Sequence, residues 1–129
     1  MNRENKRDLR GQNFDLPYLR RARLANDVLL QGRWRVEILC ALSQGPVRLG
    51  QLARLIPAAS KKMLTHNLRK LEADGIVMRS DLSDTILHIE YNLSDDTREA
   101  VRAVLDELAE WGEYYLRRVA IQAKKSIPR

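Results

Sequence analysis

A mainly α-helical domain with one small β-hairpin is predicted by three observations in the sequence. Apolar residues recur at helical spacing through several successive segments, short breaks containing Gly or Pro separate these segments, and the stretch after Gly75 changes to alternation. At 129 residues the chain is the length of one domain with one modest core.

Residues 1–14 are polar and rich in Arg and Lys, which reads as a loose basic arm. A first helix is predicted from Leu16 to Leu30, with Leu16, Leu19, Leu24, Val28 and Leu29 apolar and Pro17 in the first turn, where its missing N–H costs nothing. Gln31-Gly32-Arg33 breaks it. Trp34, Ile38, Leu39 and Leu42 mark one face of a short helix ended by Gly45-Pro46, and Leu49, Leu52, Ala53, Leu55 and Ile56 mark a second, stopped by Pro57. Two short helices with a tight breaker between them are the start of a helix-turn-helix. The next helix, Ser60 to Asp74, is the best defined, since Ser60 is an N-cap type and Gly75 stands where a left-handed C-cap is wanted. Met63, Leu64, Asn67, Leu68 and Leu71 fall on one side of it, and Lys61, Lys62, Thr65, His66, Arg69 and Lys70 share the other.

Ile76 to Arg79 reads as a short strand and Asp81 to Asp84 as a turn, after which Leu87, Ile89, Tyr91 and Leu93 alternate with His88, Glu90 and Asn92. Three helices followed by a hairpin is the order of a winged helix-turn-helix domain. Ser94 is placed to cap a long final helix, with Asp95 and Asp96 in the first turn, where the helix dipole favours acids. Its apolar residues run from Val101 through Val119 at spacings of three and four, a stripe longer than one small domain needs. Val101, Val104, Leu105, Leu108, Trp111 and Tyr115 are therefore candidate dimerisation residues, together with the first helix. Residues 15–119 form the expected winged helix-turn-helix domain with N- and C-terminal dimerisation helices, and 120–129 a basic tail; Arg117 to Arg129 holds five basic residues and no acid.

Composition narrows the function. Hydrophobic residues make up 44% and charged residues 31%, which excludes a disordered chain. No apolar run approaches the roughly 20 residues needed to span a bilayer, and the positive charges near the N-terminus are not followed by an apolar stretch, so a cytoplasmic location without membrane association is expected. The one cysteine, Cys40, lies between Leu39 and Ala41 and is expected to be a small, inert core residue. With only His66 and His88 beside it, no metal-ligand spacing exists, and no metal or cofactor is expected. His88 is expected to face solvent, Asp106, Glu107 and Glu110 to form a solvated face, and the sequon Asn92-Leu93-Ser94 to be a strand end. There is no phosphate-cradling glycine loop and no convergent nucleophile, base and carboxylate, so the chain does not read as an enzyme.

A formal net charge of +6 favours an anionic partner. The polar arc of the Ser60–Asp74 helix supplies the surface: its first turns are purely basic and polar, with Glu72 and Asp74 at the far end. The candidate DNA-binding residues are Lys61, Lys62, Thr65, His66, Arg69 and Lys70, with Arg79 on the hairpin, and the candidate partner is double-stranded DNA with an inverted-repeat operator. Lys61, Thr65 and Arg69 stack along one line and Lys62, His66 and Lys70 along the next. Arg69 carries the planar fork that matches guanine acceptors. The alternative is a winged-helix interaction module whose basic face meets an acidic protein; steep salt dependence and preference for one duplex discriminate against it.

In order and spacing, several stretches together resemble the HxlR-type winged helix-turn-helix regulators over roughly Leu24 to Tyr115. They are Gly32-Arg33-Trp34 with Ile38-Leu39, Gly45-Pro46, Leu49-Gly50-Gln51-Leu52, Ser60 to Thr65, Leu68 to Gly75, Ile89 to Ser94, and Leu108-Ala109-Glu110-Trp111-Gly112. The resemblance implies a homodimeric transcription factor whose third core helix enters the major groove, whose hairpin lies along the flanking backbone and whose terminal helices make the dimer. It places DNA contact on Lys61, Lys62, Thr65, His66 and Arg69. Two features depart from the pattern: Leu16–Gln31 lacks the cysteine through which some relatives sense oxidants or electrophiles, and Asp81 and Asp84 occupy a wing turn where basic sequence is common.

Overall fold

The computed structural model describes residues 5–7 and 13–126. Parts of the expected arm, 1–4 and 8–12, and the end of the basic tail, 127–129, lie outside the described residues. Where it is described, the arm is not loose as expected: β1 (Asn5–Arg7) pairs antiparallel with β2 (Asn13–Asp15) through backbone hydrogen bonds that polar composition does not reveal, making a second two-stranded sheet. Asp15 then starts α1 (Leu16–Ala25) by accepting the Tyr18 N–H at 3.0 Å, with Pro17 in the first turn. The expected first helix continues to Leu30, but its last part, Asn26–Leu30, widens into a π-helical turn.

The core is built by α2 (Arg35–Ser43), α3 (Leu49–Leu55) and α4 (Lys61–Ala73). Ile38, Leu39, Leu42, Leu52, Leu64, Leu68 and Leu71 are all essentially inaccessible, as the periodicity marked, but Leu55 and Met63, expected on the same faces, stay 62% and 43% exposed because they lie at the edge of the arc that meets the core. Burying one such side chain stabilises the fold by about 1.5–3 kcal/mol. The ends of α4 are defined locally. Ser60 Oγ accepts the Met63 N–H at 3.1 Å. At the other end Gly75, at φ +77°, lets the Ile76 N–H reach the Leu71 carbonyl at 2.9 Å and its own N–H reach that of Glu72 at 3.0 Å, so two of the last carbonyls of the helix are satisfied.

The hairpin pairs β3 (Val77–Asp81) with β4 (Ile89–Leu93), Val77 opposite Leu93 and Asp81 opposite Ile89. Val77 and Leu93 seal the core from the sheet side. Leu87, expected in the second strand, lies in the connecting loop instead. The reason is local hydrogen bonding: Asp81 Oδ1 accepts the Ser83 N–H at 2.9 Å, Ser83 Oγ accepts the His88 N–H at 2.8 Å, and together they hold residues 82–88 as a loop. Val47, between α2 and α3, exchanges both backbone hydrogen bonds with Tyr91 at 2.8 and 2.9 Å, tying the hairpin to the helical core.

The final helix, α5 (Arg98–Ser126), runs for 29 residues. It starts later than expected, and Ser94 is not its cap. Ser94 is buried, its N–H is taken by the Ile76 carbonyl at 2.8 Å, and a turn through Asp95 and Asp96 redirects the chain before the helix begins. Residues 120–126, read as part of a basic tail, continue the helix. No helix among the described residues is long and apolar enough to cross a membrane.

Candidate nucleic-acid interface

Because Leu64, Leu68 and Leu71 pull one side of α4 into the core, the opposite side is forced into solvent. Lys61, Lys62, His66, Arg69 and Lys70 are exposed there, and Thr65 is half-buried beside them. None of these basic groups has a carboxylate within ion-pair distance among the described residues. Positive charge on this face is therefore not neutralised inside the molecule, and α3, packed against α4, holds it at a fixed angle as the first helix of the helix-turn-helix.

Arg79 stands exposed on β3, opposite Tyr91. The hairpin tip beyond it differs in character. Leu82, Ile86 and Leu87 are 55%, 75% and 71% exposed, and Asp81 and Asp84 are exposed among them. Hydrogen bonds from Ser83 hold the Asp81 carboxyl below the usual carboxylate range, so it is ionised at neutral pH. His88, half-buried rather than facing solvent, makes a 2.8 Å contact with Glu90. The tip is thus acidic and apolar.

Arg48 was not among the residues expected here. It is exposed at the start of α3, and a guanidinium nitrogen donates to the Leu87 carbonyl at 3.1 Å, bracing the hairpin tip against the helix-turn-helix. A basic residue just before the first helix of the pair was the available signal. Arg35 and Asn67 were missed as partners. Both are buried, and Nε of Arg35 donates to Oδ1 of Asn67 at 2.9 Å. Asn67, a polar residue on the apolar side of its helix, was the visible hint.

This arrangement of helices and hairpin coincides with a known family: residues 29–120 match the HxlR-like helix-turn-helix family. The chain belongs to it. Among its relatives, the HTH-type transcriptional regulator YtcD of Bacillus subtilis is 40% identical over 91 residues, 70% of this chain and 71% of YtcD. The fold of the YtcD crystal structure agrees at a TM-score of 0.67 with 34% identity, covering 74% of this chain and 96% of that one. A MarR-family transcriptional regulator from Enterococcus faecalis agrees at 0.70 with 29% identity, covering 79% and 91%. This HxlR-like protein is accordingly a transcriptional regulator of winged helix-turn-helix type, not an enzyme.

Along α5 the expected dimerisation residues divide into two groups. Val101 is 2% exposed in the protein's own core, and Leu105 and Val104 are half-buried, Leu105 against that core. Leu108, Trp111 and Tyr115 are 39%, 61% and 48% exposed, with the Trp111 and Tyr115 rings stacked at 5.4 Å. An apolar groove of about 320 Å³ lies between the N-terminal turns of α5 and the α1 segment, lined by Leu24, Val28, Leu29 and Val104 among others.

Cys40 departs from expectation in one respect: its side chain is exposed, not buried. It sits on the outer side of α2, turned away from Leu39 and Leu42, in a shallow apolar recess with Pro46 and Leu55. Partial burial, reinforced by the Glu37 carboxylate, pushes the thiol pKa up, so the thiol stays protonated at neutral pH.

Proposed function

We propose that this regulator binds an inverted-repeat operator in double-stranded DNA as a homodimer in the cytoplasm. α4 enters the major groove, and α5 together with α1 forms the dimer. The observation that carries the reading is the exposed, internally unpaired basic face of α4, rigidly presented by α3 and the core. Lys61, Lys62, Thr65, His66, Arg69 and Lys70 contact the duplex, the lysines satisfying phosphates and Arg69 reading a base edge. The acidic hairpin tip keeps off the backbone, leaving Arg79 and Arg48 as the flanking phosphate contacts. Leu108, Trp111 and Tyr115 are covered by the second copy, which continues the apolar groove beside α1.

Fluorescence anisotropy with duplexes selected from a random pool tests this. Log affinity should fall linearly with log salt, with a slope set by the phosphates neutralised. Footprinting should show two protected half-sites one helical turn apart, about 10 base pairs centre to centre. A monomer at micromolar concentration with no two-fold footprint overturns the proposal.

A further inference from the structure

Arg35, the first residue of α2, is 4% exposed, yet among the described residues no carboxylate pairs with it. Its bonds run to two other elements. Nε donates to Oδ1 of Asn67 in α4 at 2.9 Å, and Nη1 donates to the carbonyl of Val28 in the π-helical turn at 2.6 Å. Asn67 is 7% exposed and its Nδ2 donates to the Met63 carbonyl at 2.8 Å, inside the first turns of α4. One guanidinium therefore joins the turn that follows α1, the start of α2 and the half of α4 that carries Lys61, Lys62, Thr65 and His66.

Burying a cation is costly, and apolar side chains of similar size at both positions are often at least as stabilising. What a satisfied buried network adds is a single defined arrangement. The Arg fork suits this because its two nitrogens point at two acceptors at once, whereas a Lys ammonium is one point charge. The π-helical turn is the second sign, since such widenings of a helix are rare and concentrate at functional positions. Here the widened turn contains the carbonyl that Arg35 takes.

We propose that Arg35 is a positioning residue for the DNA-reading helix: through Asn67 and Val28 it locks the orientation of the basic face of α4 to the α1 arm. This rests on the DNA-binding dimer proposed above. Its consequence is for selectivity. The surface charge that holds any duplex stays in place without Arg35, but the alignment that distinguishes one duplex from another does not.

The test compares affinities for the selected duplex and for a scrambled duplex of equal length, with dimer mass and thermal midpoint measured beside them. Arg35→Lys keeps the charge and loses the fork; the ratio of the two affinities should fall roughly 3- to 30-fold while binding to the scrambled duplex holds. Asn67→Asp keeps the acceptor for Nε but gives up the donor to the Met63 carbonyl, so its ratio should fall between wild type and Arg35→Lys, whereas Asn67→Leu, which loses both bonds, should lower it at least as far as Arg35→Lys does. In the Arg35→Met, Asn67→Leu cycle the double variant should lose no more than either single one. If Arg35→Met does not fold, the Arg35→Lys and Asn67→Asp comparison decides alone. A purely structural role predicts a lower thermal midpoint with equal weakening on both duplexes, and that result overturns the inference. A wild-type chain without duplex preference overturns the proposed function; a wild-type chain with preference, and an unchanged ratio in Arg35→Lys, overturns this inference only.

Discussion

The helices α4 and α5 are both amphipathic, yet the molecule treats their apolar stripes in opposite ways. In the 13 residues of α4 every leucine is buried at 0% exposure, so what remains outside is mostly charge, beside Met63 at 43%. In the 29 residues of α5 only Val101 is buried, and what remains outside toward the C-terminus is Trp111, Tyr114, Tyr115 and Leu116 at 61%, 56%, 48% and 66%. An apolar stripe satisfied within the chain leaves a surface that meets polar partners; one that outruns its own core leaves a surface that meets another apolar surface. The first is expected to be salt-sensitive, the second not.

The largest effect expected from this contrast lies on α5. Trp111→Ala should weaken dimer association by about 3–5 kcal/mol, the cost typical of removing a large buried aromatic, while the monomer's fold survives because Trp111 is outside the core. Sedimentation velocity across a dilution series checks it; an unaltered dimer would remove the stripe from the interface and end the comparison. On α4 the same kind of truncation should act on folding. Leu68→Ala should cost about 2–5 kcal/mol of stability, read as a lower urea midpoint at unchanged slope.

The polar side of α4 gives smaller, more selective effects. Arg69→Ala should cost about 1–3 kcal/mol and relax preference at one base position per half-site, while Lys70→Ala should weaken all sequences alike and flatten the salt slope by about one. Selection from randomised operators separates the two. Uniform weakening by Arg69→Ala would make it a phosphate contact and move base reading toward Lys61, Lys62, Thr65 and His66. The smallest effect belongs to Cys40. With its thiol pKa raised, the thiolate is scarce at neutral pH and increases only as pH climbs past the range of an ordinary thiol. Alkylation should be slower than that of a free thiol at the same pH, and Cys40→Ser should leave DNA binding and its response to oxidants unchanged. Loss of an oxidant response in that variant would make the exposed position of Cys40 functional.

The two helices also differ in how far they were legible. α4 could be read almost to the residue, because Ser60 and Gly75 act on backbone groups within a turn of themselves and the spacing of Leu64, Leu68 and Leu71 defines the buried arc without reference to anything else. The start of α5 was misplaced, since Ser94, Asp95 and Asp96 have the local chemistry of a helix start but Ser94 is held by the distant Ile76 carbonyl. The hairpin was recognised from its alternation, while its loop was drawn too short because Asp81 and Ser83 organise it through side-chain bonds that alternation does not express.

The sequence by itself determined the order of the core helices and the wing hairpin, the centres of the buried faces of α2, α3 and α4 though not their edges at Leu55 and Met63, and the basic arc opposite them, because periodicity, caps and breakers act over a few residues and each points to the same answer. Tertiary structure alone decided the rest. That Val47 joins Tyr91, that Cys40 faces out of a helix whose neighbours Ile38, Leu39 and Leu42 face in, and that Arg35 spans Val28 and Asn67 are outcomes of packing between segments far apart in the chain. Such contacts depend on the angles at which elements meet, and no local spacing encodes an angle.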